Sequence, residues 1–301
     1  MSAFPLPAWR SLLFVPATAE RFVAKAHTRG ADAIILDLED SIPPAAKSAA
    51  RAALPDAVRR VGQGGADVVV RINRPLELAV ADIAAAVMPG VAALMLPKLS
   101  GREHVRLLSE VVAAREAAAG MAAGATRFIG LVETADALPH LFAIAADPRM
   151  VALGVGAEDL ATEFGGSPSA DSMYVWAMHC LAAARAAGIL PMGSLGNLAR
   201  LDDLPGYRSG LQRARALGFG TAACIHPAHV PIINEEYGAS PEQIDRARRL
   251  VAAFEEGVAR GLGAVAFEGA MIDLPVVDRA RRLLARATEW ERRDAARQPG
   301  A

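Results

Sequence analysis

A chain of 301 residues with 53% hydrophobic and 22% charged side chains has the balance of a globular protein, long enough for one large α/β domain or two small ones. Its 32 Lys and Arg residues nearly cancel 33 Asp and Glu, and a net charge of −1 removes any electrostatic argument for nucleic acid or a membrane surface as partner. No apolar run reaches the ~18 residues of a membrane span, and the opening MSAFPLPAWRSLLFVP lacks the basic-then-apolar layout of a secretion signal. Cys180 and Cys224 show no C-x-x-C spacing and read as reduced core residues, which suits a cytoplasmic compartment.

In chain order, short apolar runs alternate with longer helix-like segments. The runs are SLLFVP (11–16), AIILDL (33–38), VVVRIN (68–73), ALMLPK (93–98), FIGLVE (128–133), VALGVG (151–156), LPMGSL (190–195) and ACIHP (223–227). They recur every 20–40 residues or so, roughly the length of a βα unit. They are apolar throughout rather than alternating, the pattern of parallel strands buried on both faces. Between them lie segments such as REHVRLLSEVVAAREAAA (102–119), apolar along one helical face. This order predicts an α/β fold, a (β/α)8 TIM barrel. A doubly wound open sheet is the alternative, but no G-x-G-x-x-G follows the first run.

After the eighth run the chain continues as SPEQIDRARRLVAAFEEGVARG, with Ser240 as N-cap, Pro241 in the first turn and Gln243 in the capping-box position. A second helix is predicted over about 275–297, with GAVAFEGAMIDLP between the two. The predicted organisation is a barrel domain over 1–238 and a C-terminal helical extension over 239–301, free to cover the barrel mouth or pack on a neighbouring subunit.

In a parallel barrel, functional groups gather at the C-terminal strand ends. The second run ends in Asp37, Glu39 and Asp40, the third in Arg71 and Asn73, the fourth in Lys98 and the fifth in Glu133. Glu158 and Asp159 follow the sixth, with Glu163 close behind; Ser194 and Asn197 follow the seventh, and His226 ends the eighth. Carboxylates from two strands, without His or Cys partners, suit a hard cation such as Mg²⁺ and select Glu133 and Asp159 as the ligand pair. The competing reading is two ordinary loop carboxylates. Arg71 within VVVRIN either holds a substrate carboxylate or oxyanion, or forms a structural ion pair with the Asp37–Glu39–Asp40 cluster. Lys98 as a Schiff-base nucleophile is disfavoured, because an acidic mouth keeps an ammonium charged. His226 before Pro227 is expected to orient its loop by hydrogen bonding.

Taken together, RSLLFVP, ADAIILDLEDSI, VRIN, LMLPK, GLVETADAL, GVGAEDLATEFG, LGFGTAACIHP and GAMIDLPVV stand in the order and spacing of the citrate lyase β-subunit-like family of the HpcH/HpaI aldolase superfamily, which includes malyl-CoA and citramalyl-CoA lyases; the chain resembles it over about residues 9–287. The resemblance implies a Mg²⁺-dependent TIM barrel, a homotrimer or homohexamer, acting between a 2-oxo acid and the acyl carbon of an acyl-CoA. By this resemblance Glu133 and Asp159 bind the metal, and Arg71 holds the substrate and stabilises charge. Asp273 of MIDLP is the acid/base, reaching the site from a neighbouring subunit. Phe14, Gly156, Ala157 and Glu158 are expected to contact substrate, the last three through the backbone of the GVGAED turn, with Asp37, Glu39, Asp40 and Lys98 in support. For Gly154 and Gly156, plain turn geometry is an equally adequate reading.

The chain departs from the family at FVPATAERF, with Ala17 and Ala19 where a Gly and often an Arg fall, at Ala222 where many relatives carry Lys, and at GSLGNLARLDDLPGY. The implied activity is cleavage or formation of a 3-hydroxy-3-carboxy acyl-CoA such as malyl-CoA or citramalyl-CoA, with thioester hydrolysis as a possible addition. The alternatives are an aldolase for a free 2-oxo acid and a carrier-protein-dependent or non-catalytic subunit of a citrate-lyase-like complex.

Overall fold

Every one of the eight apolar runs overlaps a strand: β1 (Ser11–Pro16), β2 (Ala33–Asp37), β3 (Asp67–Arg71), β4 (Val91–Leu96), β5 (Arg127–Val132), β6 (Met150–Val155), β7 (Leu190–Met192) and β8 (Ala222–Cys224). The computed structural model describes residues 5–195 and 202–297, so Asn197 lies outside the described residues. The strands pair in parallel in the order β7-β6-β5-β4-β3-β2-β1-β8. A parallel bridge between Met192 and Thr221 joins the two ends of the sheet, and the Gly193 N–H donates to the Thr221 carbonyl at 2.9 Å. The sheet is therefore a nearly closed (β/α)8 barrel, as the spacing predicts, and the open doubly wound alternative is excluded by strictly sequential strand order.

The lack of alternation in the strands has a direct cause, since both faces are dry. Ile34, Leu36, Val68, Val70, Leu94, Leu96, Phe128 and Val132 point outward into the layer shared with the helices. Ala33, Ile35, Val69, Ala93, Met95, Ile129 and Leu131 fill the barrel interior with Trp9 and Leu12. In the pairing of β5 with β6 the register slips between Phe128 and Ile129 of β5, so that Val151 and Ala152 of β6 both join the interior cluster. Such a bulge shifts the parity of everything after it.

Helices return the chain after the strands, among them Lys47–Val61, Arg102–Ala118, Ala170–Ala187 and Leu204–Leu217. A short extra helix, Ala157–Glu163, follows β6 directly. Among the described residues no helix is long and apolar enough to cross a membrane.

Two buried bidentate ion pairs lock the face where strands begin. Arg10 grips Asp32 through Nε at 2.9 Å and Nη2 at 3.0 Å. Arg149 grips Glu116 through Nη1 and Nη2, both at 2.8 Å, and Glu116 also accepts from the N–H groups of Thr126 at 2.7 Å and Gly124 at 2.9 Å.

The chain divides into two compact units, Met1–Tyr237 and Gly238–Ala301. In the second, helix Pro241–Ala259 starts with the expected capping box between Ser240 and Gln243. Strands β9 (Val265–Phe267) and β10 (Ala270–Ile272) then form an antiparallel hairpin ahead of helix Leu274–Arg297. Sequence reading leaves this hairpin unassigned. Its signal is the two-residue turn Glu268–Gly269, both at positive φ (49° and 79°), which gives the twist a tight hairpin needs. Leu250, Phe254, Ile272 and Val277 form the core of this unit.

Burial pushes the Glu116 carboxyl up, but Arg149 and the Thr126 and Gly124 N–H groups outweigh it and hold it below the ordinary Glu value of 4.5. Its contribution is thus complete above about pH 4.5 and is lost as pH falls through the lower folded value. Glu116→Gln leaves Arg149 buried without its counter-charge and is expected to destabilise the barrel by about 3–5 kcal/mol at neutral pH. Urea unfolding followed from pH 7 down to pH 3 checks both points: the variant starts less stable and falls less steeply with acid.

Candidate active site

The polar residues at the mouth continue the inward-facing rows of the barrel. On β2 the interior series Ala33, Ile35 ends in Asp37; on β3 Val69 is followed by Arg71; and on β5 Ile129 and Leu131 are followed by Glu133. A two-residue strand period carries each of these side chains inward onto the same top layer. The carboxylates are therefore placed by strand register rather than by loop conformation.

Arg71 is the hub of one half. Its Nε donates to Asp37 Oδ1 at 2.7 Å and its Nη2 to Asp37 Oδ2 at 2.8 Å. Its Nη1 lies 3.0 Å from Glu39 Oε2 and 3.4 Å from Asp40 Oδ2, and the guanidinium stacks 4.9 Å from the centre of the Phe14 ring. Burial pushes Asp37 up, but Arg71, with help from Ser41 and Glu39, outweighs it and keeps the carboxyl below its ordinary value. Arg71 therefore makes the structural ion pair and also lines the cavity described below, so pairing with Asp37 does not remove it from the mouth.

Lys98 ties the halves together. Its Nζ donates to Glu39 Oε1 at 2.8 Å and lies 3.7 Å from Asp40 Oδ1 and 3.5 Å from Asp159 Oδ1. Its backbone N–H donates to Glu133 Oε2 at 2.8 Å. Making both contacts puts a non-glycine residue at φ 48°, a conformation that costs of order 1 kcal/mol or more. Burial disfavours the ammonium, but the Glu39 hydrogen bond and the surrounding carboxylates reverse this and raise its pKa. A lysine held this firmly as an ammonium is no Schiff-base nucleophile.

Glu133 is 4% exposed and closely packed on Gly156. A Cβ at Gly156, which has an ordinary φ of −86°, would overlap the Glu133 carboxylate. This glycine is required for close approach, not for turn geometry. Burial above all, with the charges of Glu39 and Asp159, pushes the Glu133 carboxyl up to about 7. Burial likewise raises Glu39 in spite of Arg71 and Lys98.

Glu133, just past β5, thus lies near Asp159 on the short helix after β6, and burial with the neighbouring negative charge disfavours the ionised form of Glu133, a deficit that a hard divalent cation would remove. Among the described residues no group of three or more His, Cys, Asp or Glu side chains is arranged to hold a metal. Two carboxylates with open positions fit Mg²⁺, which keeps waters or substrate oxygens, better than a closed zinc site.

A cavity of about 340 Å³ opens beside this pair. Phe14, Asp40, Arg71, Glu133, Gly156, Ala157, Glu158 and Asp159 all line it, together with Ser194. Asp37, Glu39 and Lys98 stand behind as ion partners. Glu163 accepts from the Ala135 N–H at 2.8 Å, which ties helix Ala157–Glu163 to the loop after β5. Asn73 has a structural task, donating to Asp82 and to the Leu38 carbonyl. His226 Nδ1 accepts from the Ala228 N–H at 3.2 Å and so orients its own loop. Asp273 belongs to the second unit, where it is exposed and its carbonyl accepts from the N–H groups of Val276 and Val277. The cavity residues Met173, Met192, Phe219 and Ala223 are not legible in the sequence, where each reads as one more apolar core residue.

The family model for HpcH/HpaI aldolase/citrate lyase matches residues 10–227. The chain is 31% identical over 279 residues to a citrate lyase subunit beta of Leuconostoc mesenteroides subsp. cremoris, covering 91% of this chain and 92% of that one. It is 33% identical over 282 residues to a (3S)-malyl-CoA thioesterase of Cereibacter sphaeroides, covering 93% and 94%. Among solved structures it resembles CitE from Mycobacterium tuberculosis in complex with magnesium, acetoacetate and coenzyme A, with a TM-score of 0.72 and 34% identity over 92% of this chain and 97% of that one.

Gly156→Ala is expected to push the Glu133 carboxylate out of its seat and, with Glu133 and Asp159 as the ligands of a hard cation, to lower Mg²⁺ affinity by about tenfold or more. Calorimetric titration of the folded variant with MgCl₂ reads this directly. Unchanged affinity, with an unchanged far-ultraviolet circular dichroism spectrum, would show that the close packing serves the fold alone.

Proposed function

The chain belongs to the HpcH/HpaI aldolase/citrate lyase family, a family of carbon–carbon lyases, and we propose that it is a Mg²⁺-dependent lyase of a 3-hydroxy-3-carboxy acyl-CoA such as malyl-CoA or citramalyl-CoA. The observation that carries this reading is the buried Glu133 beside Asp159, within a cavity that Arg71 also lines. On this reading Glu133 and Asp159 hold the cation, which supplies Lewis-acid stabilisation of the oxygen on the carbon that becomes the 2-oxo group.

The remaining work falls to the chain's own groups. Arg71, anchored by Asp37 on one edge, presents its guanidinium to the substrate acid and offsets the negative charge that develops there. The Gly156 N–H is committed to the Val132 carbonyl at 3.0 Å, so a backbone clamp on the acid would use the N–H groups of Ala157 and Glu158. Lys98, with its backbone N–H on Glu133, fixes the orientation of the proposed ligand. Cleavage leaves a thioester enolate that needs a proton at its α-carbon, and Asp273 is the proposed donor, supplied by a neighbouring subunit of a trimer or hexamer.

The similarity to citrate lyase subunit beta favours one further reading, in which the acyl group rides on a carrier protein rather than on free CoA. The name of the Cereibacter relative makes thioester hydrolysis a second step to look for.

A lyase assay of the purified chain with malyl-CoA and citramalyl-CoA, with Mg²⁺ or with excess EDTA, separates these readings when 2-oxo acid, acetyl-CoA and free CoA are followed individually. Mg²⁺-dependent release of glyoxylate or pyruvate is expected; free CoA without acetyl-CoA would add the hydrolase, and no activity on either ester would point to the carrier-bound substrate. Glu133→Gln and Asp159→Asn are each expected to lower kcat/KM by at least about a hundredfold. Asp273→Asn should be inactive alone yet regain activity when co-assembled with the Glu133→Gln chain, because mixed assemblies then contain intact composite sites. No recovery in mixed assemblies would place the acid/base within one chain.

A further inference from the structure

The cavity lining is uneven in kind: the charged residues gather on one side with Phe14 and Leu131 among them, and the other side is mainly apolar apart from Ser169 and Ser194. Round the strand order, β2 to β6 bring Asp37, Arg71, Lys98, Glu133 and Asp159 to the mouth. β7 and β8 bring Met192 and Ala223. Helix Ala170–Ala187 adds Met173 and Ala177 one turn apart on the face that lines the same cavity, and Phe219 closes the wall. The charged half accounts for an acid head group, a cation and the scissile bond. The apolar half has no part in that chemistry.

An apolar wall beside a chelating site rewards only a ligand that has carbon to place on it. The wall also has the make-up of an adaptable chain-binding surface: two alanines leave space, and two methionines with unbranched side chains adjust to the occupant. Val155, at the end of β6, lines the cavity itself and in the strand order lies between Glu133, just past the end of β5, and Met192 on β7, so it joins the proposed metal pair to the wall. An acid held at Glu133 and Asp159 therefore has apolar surface available on the β6–β7 side, in addition to that of Leu131 and Phe14.

We infer that the 2-oxo acid this site prefers, with glyoxylate and pyruvate as poorer substrates of the same reaction, carries an alkyl chain of two or more carbons beyond its oxo group, seated on Met173, Ala177, Met192, Phe219 and Ala223. The chemistry rests on the lyase reading above; the wall does not. In the condensing direction the α-carbon of an acyl thioester loses a proton to the base and bonds to C2 of the acid, whose oxo oxygen gains a proton to become the hydroxyl. Cleavage breaks the same bond and returns both protons, so no oxidant or reductant is needed.

The test has two readouts on the full chain with Mg²⁺. Calorimetry with glyoxylate, pyruvate, 2-oxobutanoate and 2-oxopentanoate should show Kd falling about fourfold per added methylene. Turnover of acetyl-CoA with the same acids should give kcat/KM at least tenfold higher for 2-oxobutanoate or 2-oxopentanoate than for glyoxylate. Ala177→Leu, or Ala223→Val should the first variant fold poorly, should lower that ratio tenfold or more. Affinity that is flat or falls with chain length overturns the inference. A chain-length gain seen only when the acyl thioester is lengthened, from acetyl to butyryl with glyoxylate, overturns it too. Affinity that climbs without any turnover sustains the wall and sinks the lyase reading, whereas turnover of glyoxylate with flat affinity does the reverse.

Discussion

At the top of the barrel five carboxylates, those of Asp37, Glu39, Asp40, Glu133 and Asp159, converge on two cations, Arg71 and Lys98. Uncompensated charge of one sign is expensive in a partly dry site. The molecule distributes the expense unevenly. Asp37 takes the bidentate face of Arg71 and stays readily ionised, while Glu39 and Glu133 are pushed toward their neutral forms. Most of the local geometry follows from this imbalance, including the left-handed backbone of Lys98 that lets one residue serve two carboxylates.

The opposite face of the barrel shows what a settled electrostatic arrangement looks like. There Arg10–Asp32 and Arg149–Glu116 are paired one to one, bidentate and buried, with backbone N–H groups completing the carboxylates. The same residue types thus stabilise one end of the fold and leave the other short of positive charge. The difference lies in pairing, and it matches the general division of such barrels into a stabilising face and a reactive one.

Much of the site is legible along the chain because the barrel is regular. A strand that is apolar on both faces and then ends in Asp, Arg or Glu announces an inward polar layer, and this holds for Asp37, Arg71 and Glu133. Lys98 and Asp159 are found by the same rule although neither follows strand parity, since one sits past a proline and the other on a short helix. The rule fails for apolar contributors. Met192 and Phe219 look like any core residue, and only the cavity they border distinguishes them. It also misjudges Gly156, whose role depends on a side chain 23 positions earlier.

The sequence by itself determined the barrel, the capped helix of the second unit and the identity of the charged residues at the strand ends, because hydrophobic period, capping chemistry and strand punctuation act over a few neighbouring residues. The tertiary structure alone decided which of those charges are neutralised, which are pushed toward protonation, and where the mouth turns apolar. Glu133 is raised by burial and by Glu39 and Asp159, and Arg71 is shared among Asp37, Glu39 and Asp40. Such effects depend on distances of a few ångströms between groups dozens of positions apart, and those distances exist only once the strands have closed on one another.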